Sequence, residues 1–186
     1  GELRRWLIFE GLKCLTKQWP SSSSLPLPSS IFKEMNENKT EEIDSSADHS
    51  TKKNLSNTQL IRLSNQVSRL LLEFTKYDVA LDLLECAVKF GENSEDVEEY
   101  GEEMQNVSNF LCWLLIDRSR YQRAMGLLKK HFERNKLKLG WNHDVTLQCT
   151  AHLLRCFHET GKLEAALSVG EEALSNSTLS DSNVRI

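Results

Sequence analysis

Residues 149 to 162 read CTAHLLRCFHETGK and gather two cysteines, two histidines, a glutamate and a Gly-Lys pair. Metal binding, nucleophilic catalysis and phosphate binding all draw on such residues. As metal ligands, Cys149, His152 and Cys156 stand at i, i+3 and i+7 and share one helix face. A structural zinc site wants four ligands, often from short CxxC knuckles. Only His143 or His158 could complete the set and no second cluster supports them, so no metal is expected. As a phosphate loop, ETGKLEA lacks the leading glycine and the Ser/Thr after Lys162. Gly161 reads better as a turn that ends a helix, where a left-handed backbone costs glycine little. As a nucleophile, Cys156 has His152 one turn earlier and His158 two residues on. The histidine partner of a catalytic cysteine normally comes from distant sequence. No catalytic residue and no cofactor is therefore assigned, and the chain reads as a non-enzyme.

Composition narrows the remaining classes. The 186 residues suffice for one domain with a real core, and the 39% hydrophobic and 8% aromatic fractions lie toward the low side for a globular chain. A formal charge of -4 gives no electrostatic reason to bind nucleic acid. No run approaches the ~18 apolar residues of a membrane helix, so membrane insertion is not expected. The five cysteines are odd in number, widely spaced and without CxxC. That pattern points to a reducing, intracellular and cytoplasmic setting. There the sequons at Asn38, Asn54, Asn106 and Asn176 would stay unused. The chain opens on Gly1 with a helix already under way, which reads as a segment of a larger protein.

Residues 1–19 carry Leu3, Trp6, Leu7, Leu12, Leu15 and Trp19 at helical spacing, so an amphipathic helix is expected, stopped by Pro20. Residues 20–57 hold all three prolines, many serines and mixed charges, with Ile31, Phe32 and Met35 as apolar relief. Such composition cannot offset the entropy of folding, so a disordered insertion is expected, read as a tolerated linker rather than a docking segment. From Thr58 to about Ser175 the pattern is helical with no strand alternation, and 176–186 is expected to be a disordered tail.

The helical region repeats itself. KYDVALDLLECAV (76 to 88), RYQRAMGLLKKHF (120 to 132) and KLEAALSVGEEAL (162 to 174) align without gaps at offsets of 44 and 42 residues. Columns form at Ala80/Ala124/Ala166, Leu83/Leu127/Val169, Ala87/His131/Ala173 and Val88/Phe132/Leu174. Upstream, Val67/Leu111/Leu153 and Leu71/Leu115/Phe157 continue the register, and Thr75, Ser119 and Gly161 mark a break before each second helix. The unit is a helix-turn-helix used three times, over about 61–91, 105–136 and 147–175. Small residues at the alanine column let paired helices approach closely. The large apolar columns are expected to bury within each pair and against the next, since such a repeat cannot bury its face alone. Asn142 and Asp144 could cap the helix that opens the third repeat.

These columns resemble the tetratricopeptide repeat over residues 61 to 175. The offset exceeds the usual ~34. It is similar to the extended subclass of kinesin light chains and nephrocystin-like proteins, whose Leu-Gly and following His are matched by Leu139, Gly140 and His143. Departures are Ser68 and Cys112 where glycine is usual, Asp144 where proline commonly follows the His, and His131 for the second alanine. The resemblance implies an all-α fold, an α-α superhelix (a solenoid of about three hairpins) whose first helices line a concave groove. Carried over column by column, the groove residues are Arg62, Asn65 and Arg69, then Asn106, Asn109 and Trp113, then Gln148, Arg155 and His158. Asparagine can grip a peptide backbone as donor and acceptor, arginine forks onto carboxylates, and tryptophan gives an apolar platform. Glu73, Asp117 and Glu159 dilute the positive charge.

The function so implied is a scaffold or adaptor segment that binds an extended, acidic peptide. Two alternatives stand beside it: a regulatory repeat region of a nucleotide-driven switch whose catalytic domain lies outside this chain, and a self-associating solenoid. By the resemblance alone, ciliary or cytoskeletal association is also implied. The acidic run GENSEDVEEYGEEM (91 to 104) lacks the ligand order of a calcium loop and reads as a solvated loop and helix start.

Overall fold

The computed structural model describes residues 2–19, 26–37, 55–92 and 101–182. Among them the chain is all-α, with eight helices. These are α1 (Glu2–Gln18), α2 (Ser29–Glu37), α3 (Asn57–Glu73), α4 (Tyr77–Glu92), α5 (Gly101–Asp117), α6 (Tyr121–Leu139), α7 (Asp144–Glu159) and α8 (Leu163–Ser182). The chain divides into two compact units, Gly1–Leu111 and Cys112–Ile186, with the boundary inside α5.

In the first unit α3 packs on α4, α1 on α3, and α2 on both α4 and α1. The buried face of α1 is Ile8, Leu12 and Leu15, which meets the core formed by Leu60, Ile61, Val67 and Leu71 of α3 with Leu81, Leu83 and Leu84 of α4. Gly11 permits the close approach of α1 to α3, since a Cβ there would lie 2.5 Å from Val67 Cγ2. A capping box starts α3: the Gln59 N–H donates to Ser56 Oγ (3.3 Å) and the Ser56 N–H donates to Gln59 Oε1 (2.9 Å). These two bonds satisfy donors that the first helical turn would otherwise leave open.

Helix α2 corrects the expectation of disorder across 20–57. Leu27 and Ile31 bury in the core, and Ser30 Oγ donates to Asp82 Oδ2 of α4 at 2.6 Å. The Glu34 carboxylate is buried and held by Lys76 Nζ at 3.1 Å. Two apolar anchors, Leu27 just ahead of the helix and Ile31 on it, and a paired acid thus overcome a polar composition that argues against folding. The rest of that segment, and the sequons at Asn38 and Asn54, lie outside the described residues.

In the second unit α7 packs against α6 and α8 against α7. The core there is Leu114, Leu115, Ala124, Met125, Leu128, Phe132, Leu153, Cys156 and Phe157. Helix α6 ends at Gly140, whose φ of 84° is open to glycine at little cost. His143, rather than Asn142 or Asp144, caps α7: its Nδ1 accepts the Val145 N–H at 3.3 Å, and Asp144 becomes the first helical residue. Lys136 ties elements of this unit together. Its Nζ reaches Glu133 (2.9 Å) and Glu172 of α8 (3.3 Å) and lies 5.1 Å from the ring centres of both Phe132 and Trp141. The tail expected from residue 176 is helical as far as Ser182.

One backbone device closes each of the three helix pairs. Thr75, Ser119 and Gly161 adopt φ of 59°, 55° and 70°. The N–H of each donates three residues back, to Leu72, Ile116 and His158, at 2.9, 3.0 and 3.0 Å. The next N–H, of Lys76, Arg120 and Lys162, donates five residues back, to Leu71, Leu115 and Phe157, at 3.0, 2.8 and 2.8 Å. This pair of bonds around one left-handed residue is the Schellman end of a helix. The carbonyls of Lys76, Arg120 and Lys162 then accept from Ala80, Ala124 and Ala166, so each second helix starts at the same step.

Candidate peptide-binding face

The first helix of each pair shows the same division of faces. The columns Ser64/Ser108/Thr150, Val67/Leu111/Leu153 and Leu71/Leu115/Phe157 are buried in all three. The columns Arg62/Asn106/Gln148 and Arg69/Trp113/Arg155 are exposed in all three. The exposed columns are seven residues apart, two helical turns, and so share a face. His158, also exposed, continues this face at the end of α7.

Within the first unit, α3 and α5 bring several of these residues together. The Arg62 guanidinium grips Glu103, with Nε and Nη2 at 2.8 and 2.6 Å from Oε1. Arg69 lies over the Phe110 ring, 4.5 Å from its centroid. Both partners sit one helical turn ahead of the aligned positions Asn106 and Trp113, so α3 meets α5 with a one-turn stagger. Asn65 is nearly closed off, 9% exposed, and its Oδ1 accepts no hydrogen bond. The buried hydroxyls of Ser68 on α3 and Ser108 on α5 also make none. Asn109 is half-buried and Asn106 is exposed.

Within the second unit, Trp113 is 49% exposed, and Gln148 and Arg155 stand exposed on α7. His158 Nδ1 lies 3.6 Å from Glu159, a contact that attracts only when the imidazole is protonated. Arg155 also holds the pKa of half-buried His152 below the usual imidazole value, second to the loss of solvation there.

The cysteines and histidines of residues 149–162 disperse. Cys149 and Cys156 are buried among core residues, and burial pushes both thiols up. Cys112 on α5 is raised to about 12 by the same desolvation, reinforced by those two sulfurs. A thiol this hard to ionise is a poor nucleophile at neutral pH, and Cys149 instead accepts from Asn135 Nδ2 at 3.5 Å. Among the described residues no three His, Cys, Asp or Glu side chains converge as a metal ion requires.

Sequence reasoning missed Glu103 and Phe110. Glu103 lay inside the acidic run read as solvated, and Phe110 follows the column asparagine Asn109. The one-turn stagger that makes both into partners belongs to packing between helices, and repeat alignment matches equivalent positions rather than neighbours. Comparison with known protein families, with curated proteins and with solved structures finds no match to this chain. Among the described residues no helix is long and apolar enough to cross a membrane.

Proposed function

We propose that the chain is a protein-interaction segment, a tetratricopeptide-like solenoid whose first helices hold an extended acidic peptide. The observation that carries this reading is the Arg69/Trp113/Arg155 column, exposed in all three repeats while its flanking apolar columns are buried. The Phe110 ring, 4.5 Å from the Arg69 guanidinium, supports that side chain, and a guanidinium can fork onto a carboxylate. Glu103 offsets the charge of Arg62, so Arg69 and Arg155 supply the positive anchors and Asn106, Asn109 and Gln148 the backbone donors and acceptors.

An intracellular setting goes with this proposal, since all five thiols are free and four are buried. The test is fluorescence anisotropy with a labelled library of extended Glu- and Asp-rich peptides. Arg69→Ala and Arg155→Ala should each weaken the best binder about tenfold, the worth of ~1.5 kcal/mol for a charge-assisted hydrogen bond. Unchanged affinity in the double variant, with the helical content intact, rejects the reading.

A further inference from the structure

The two joints between successive helix pairs occupy the same columns and differ in chemistry. In the first, Gly91 of α4 lies against Met104 of α5, where a Cβ on Gly91 would stand 2.1 Å from the Met104 sulfur. The aligned Ala87 and Val107 are buried, and the polar member of the set is Ser108. In the second joint the aligned residues are His131 and Asn135 of α6 with Thr146, Cys149 and Thr150 of α7, all buried. Residues one turn apart share a helix face, and the 3.5 Å contact of Asn135 Nδ2 with Cys149 Sγ sets the two rows against each other. Exposure does not separate the two joints, since both are closed. On α8, by contrast, Leu167 and Leu174 stand 64% and 69% exposed, and the expectation that every large apolar column buries fails there.

The polar seam is incompletely satisfied. Thr150 Oγ1 donates to the Thr146 carbonyl at 2.9 Å, but Thr146 Oγ1 and His131 Nδ1 are buried with no hydrogen-bond partner. Asn135 spends a donor on a thiol sulfur, a weak acceptor. Each such group raises the free energy of the closed state, because water would satisfy it on opening. Opening the first joint would instead expose the apolar Met104 and Val107, which resists separation. Leu128, Phe132, Leu153 and Phe157 keep the second unit closed at equilibrium, so the seam lowers what opening costs without abolishing the contact.

We propose that the α6–α7 seam is an opening joint built into the fold, at which α7 separates from α6 and carries α8 with it as one body. Helices α7 and α8 stay together through their own packing and the turn at Gly161. The Lys136–Glu172 contact at 3.3 Å ties α8 to α6, but Glu172 is half exposed and a surface pair of this kind holds weakly. Opening of this sort is a local, cooperative event below global unfolding. It uncovers Cys149 and Cys156 on α7 and Cys112 on α5, whose sulfurs are near enough to act on one another electrostatically. The joint opens whether or not the Arg69/Trp113/Arg155 column binds peptide.

Amide hydrogen exchange of the full chain, read by mass spectrometry, tests this first. The slowest amides of α7 should exchange at least tenfold faster than those of α3 and α4, through one opening shared with α8. Excess maleimide should label Cys112, Cys149 and Cys156 together in the same molecules. Thr146→Val removes the unpartnered hydroxyl at constant shape and should slow Cys149 labelling about tenfold, the worth of one buried unsatisfied group. Thr146→Ser keeps a hydroxyl and should not slow it. This pair of variants separates the seam from simple fraying, which neither would slow. If Thr146→Val fails to fold, exchange in the wild-type chain still decides. Protection of α7 equal to that of α3 and α4 overturns the proposal. So do thiols that label singly and independently, or Cys149 labelling that a folded Thr146→Val leaves unchanged.

Discussion

The first and third helix pairs share a turn, a register and an alanine step, yet α4 is sealed and α8 is not. Helix α4 buries Ala80, Leu81, Leu83, Leu84, Ala87 and Val88 between α3 and α2. Helix α8 has no fully buried side chain from Leu163 to Asn176, and Leu167 stands where Leu81 is closed off. The local code that starts and ends these helices is thus the same, while their stability differs with their neighbours. Isolated helices of this length are marginal in water, so most of the difference must lie in packing.

The sharpest way to break the comparison is to change volume at matched positions. Leu81→Ala should cost about 3 kcal/mol in urea unfolding, with its full transfer and cavity terms. Leu167→Ala, on an exposed site, should stay within about 0.5 kcal/mol in the monomer. Ala80→Trp and Ala124→Trp sit at positions with no exposure and should overpack by about 3 kcal/mol or more. Ala166→Trp, half-buried in the third repeat, should be tolerated far better. Equal losses at Ala80 and Ala166 would show that α8 is as tightly held as α4.

A second contrast is chemical. Where the first and third repeats have Ala87 and Ala173, the second has His131, buried on α6 with its Nδ1 lacking a hydrogen bond. Burial, then Arg134 and Lys130, lowers its pKa from 6.5 to about 4. The folded chain therefore keeps a neutral imidazole where the unfolded chain binds a proton. Stability is full above pH 6.5, falls as the pH drops toward 4, and changes little from this group below that. Between pH 7 and pH 5 the loss should be about 2 kcal/mol, an order-of-magnitude figure from the two pKa values. His131→Ala should flatten this dependence in the hydrogen exchange of α6 and α7, and α3 and α4 should show none of it. An unchanged pH slope in the variant would mean that His131 is solvated.

Much of this was legible in residues. The gapless alignment of the three windows located each break, and all three break positions carry the left-handed backbone. The alanine column marked the start of each second helix, and at Ala80 and Ala124 it is fully buried. The Arg69/Trp113/Arg155 column was named through the family resemblance, and the structure shows that all three side chains are exposed. Three other features were not legible because they arise between elements. Helix α2 exists because Ile31 and Glu34 find partners on surfaces far along the chain. The Arg69–Phe110 stack depends on an interhelix stagger that no repeat alignment contains. His143 caps α7 through a ring nitrogen, where Asn142 and Asp144 offered the usual oxygen acceptors.

The smallest contrast lies in the turns themselves. Thr75, Ser119 and Gly161 hold one backbone conformation with three side chains, and the left-handed region costs an L-residue roughly 1–2 kcal/mol that glycine escapes. A β-branched residue is the least suited of the three. Thr75→Gly should therefore relieve more strain than Ser119→Gly, although the flexible unfolded chain takes back part of each gain. The net effect should be a stabilisation of about 0.5 kcal/mol for Thr75→Gly and near zero for Ser119→Gly. Gly161→Ala should cost about 1 kcal/mol, because the added Cβ meets no atom within 4 Å and the penalty is conformational alone. Chemical denaturation of the three variants gives the order directly. If Thr75→Gly were the most destabilising, its side chain would have to supply a compensating interaction, and the three turns would be alike in shape but held by different forces.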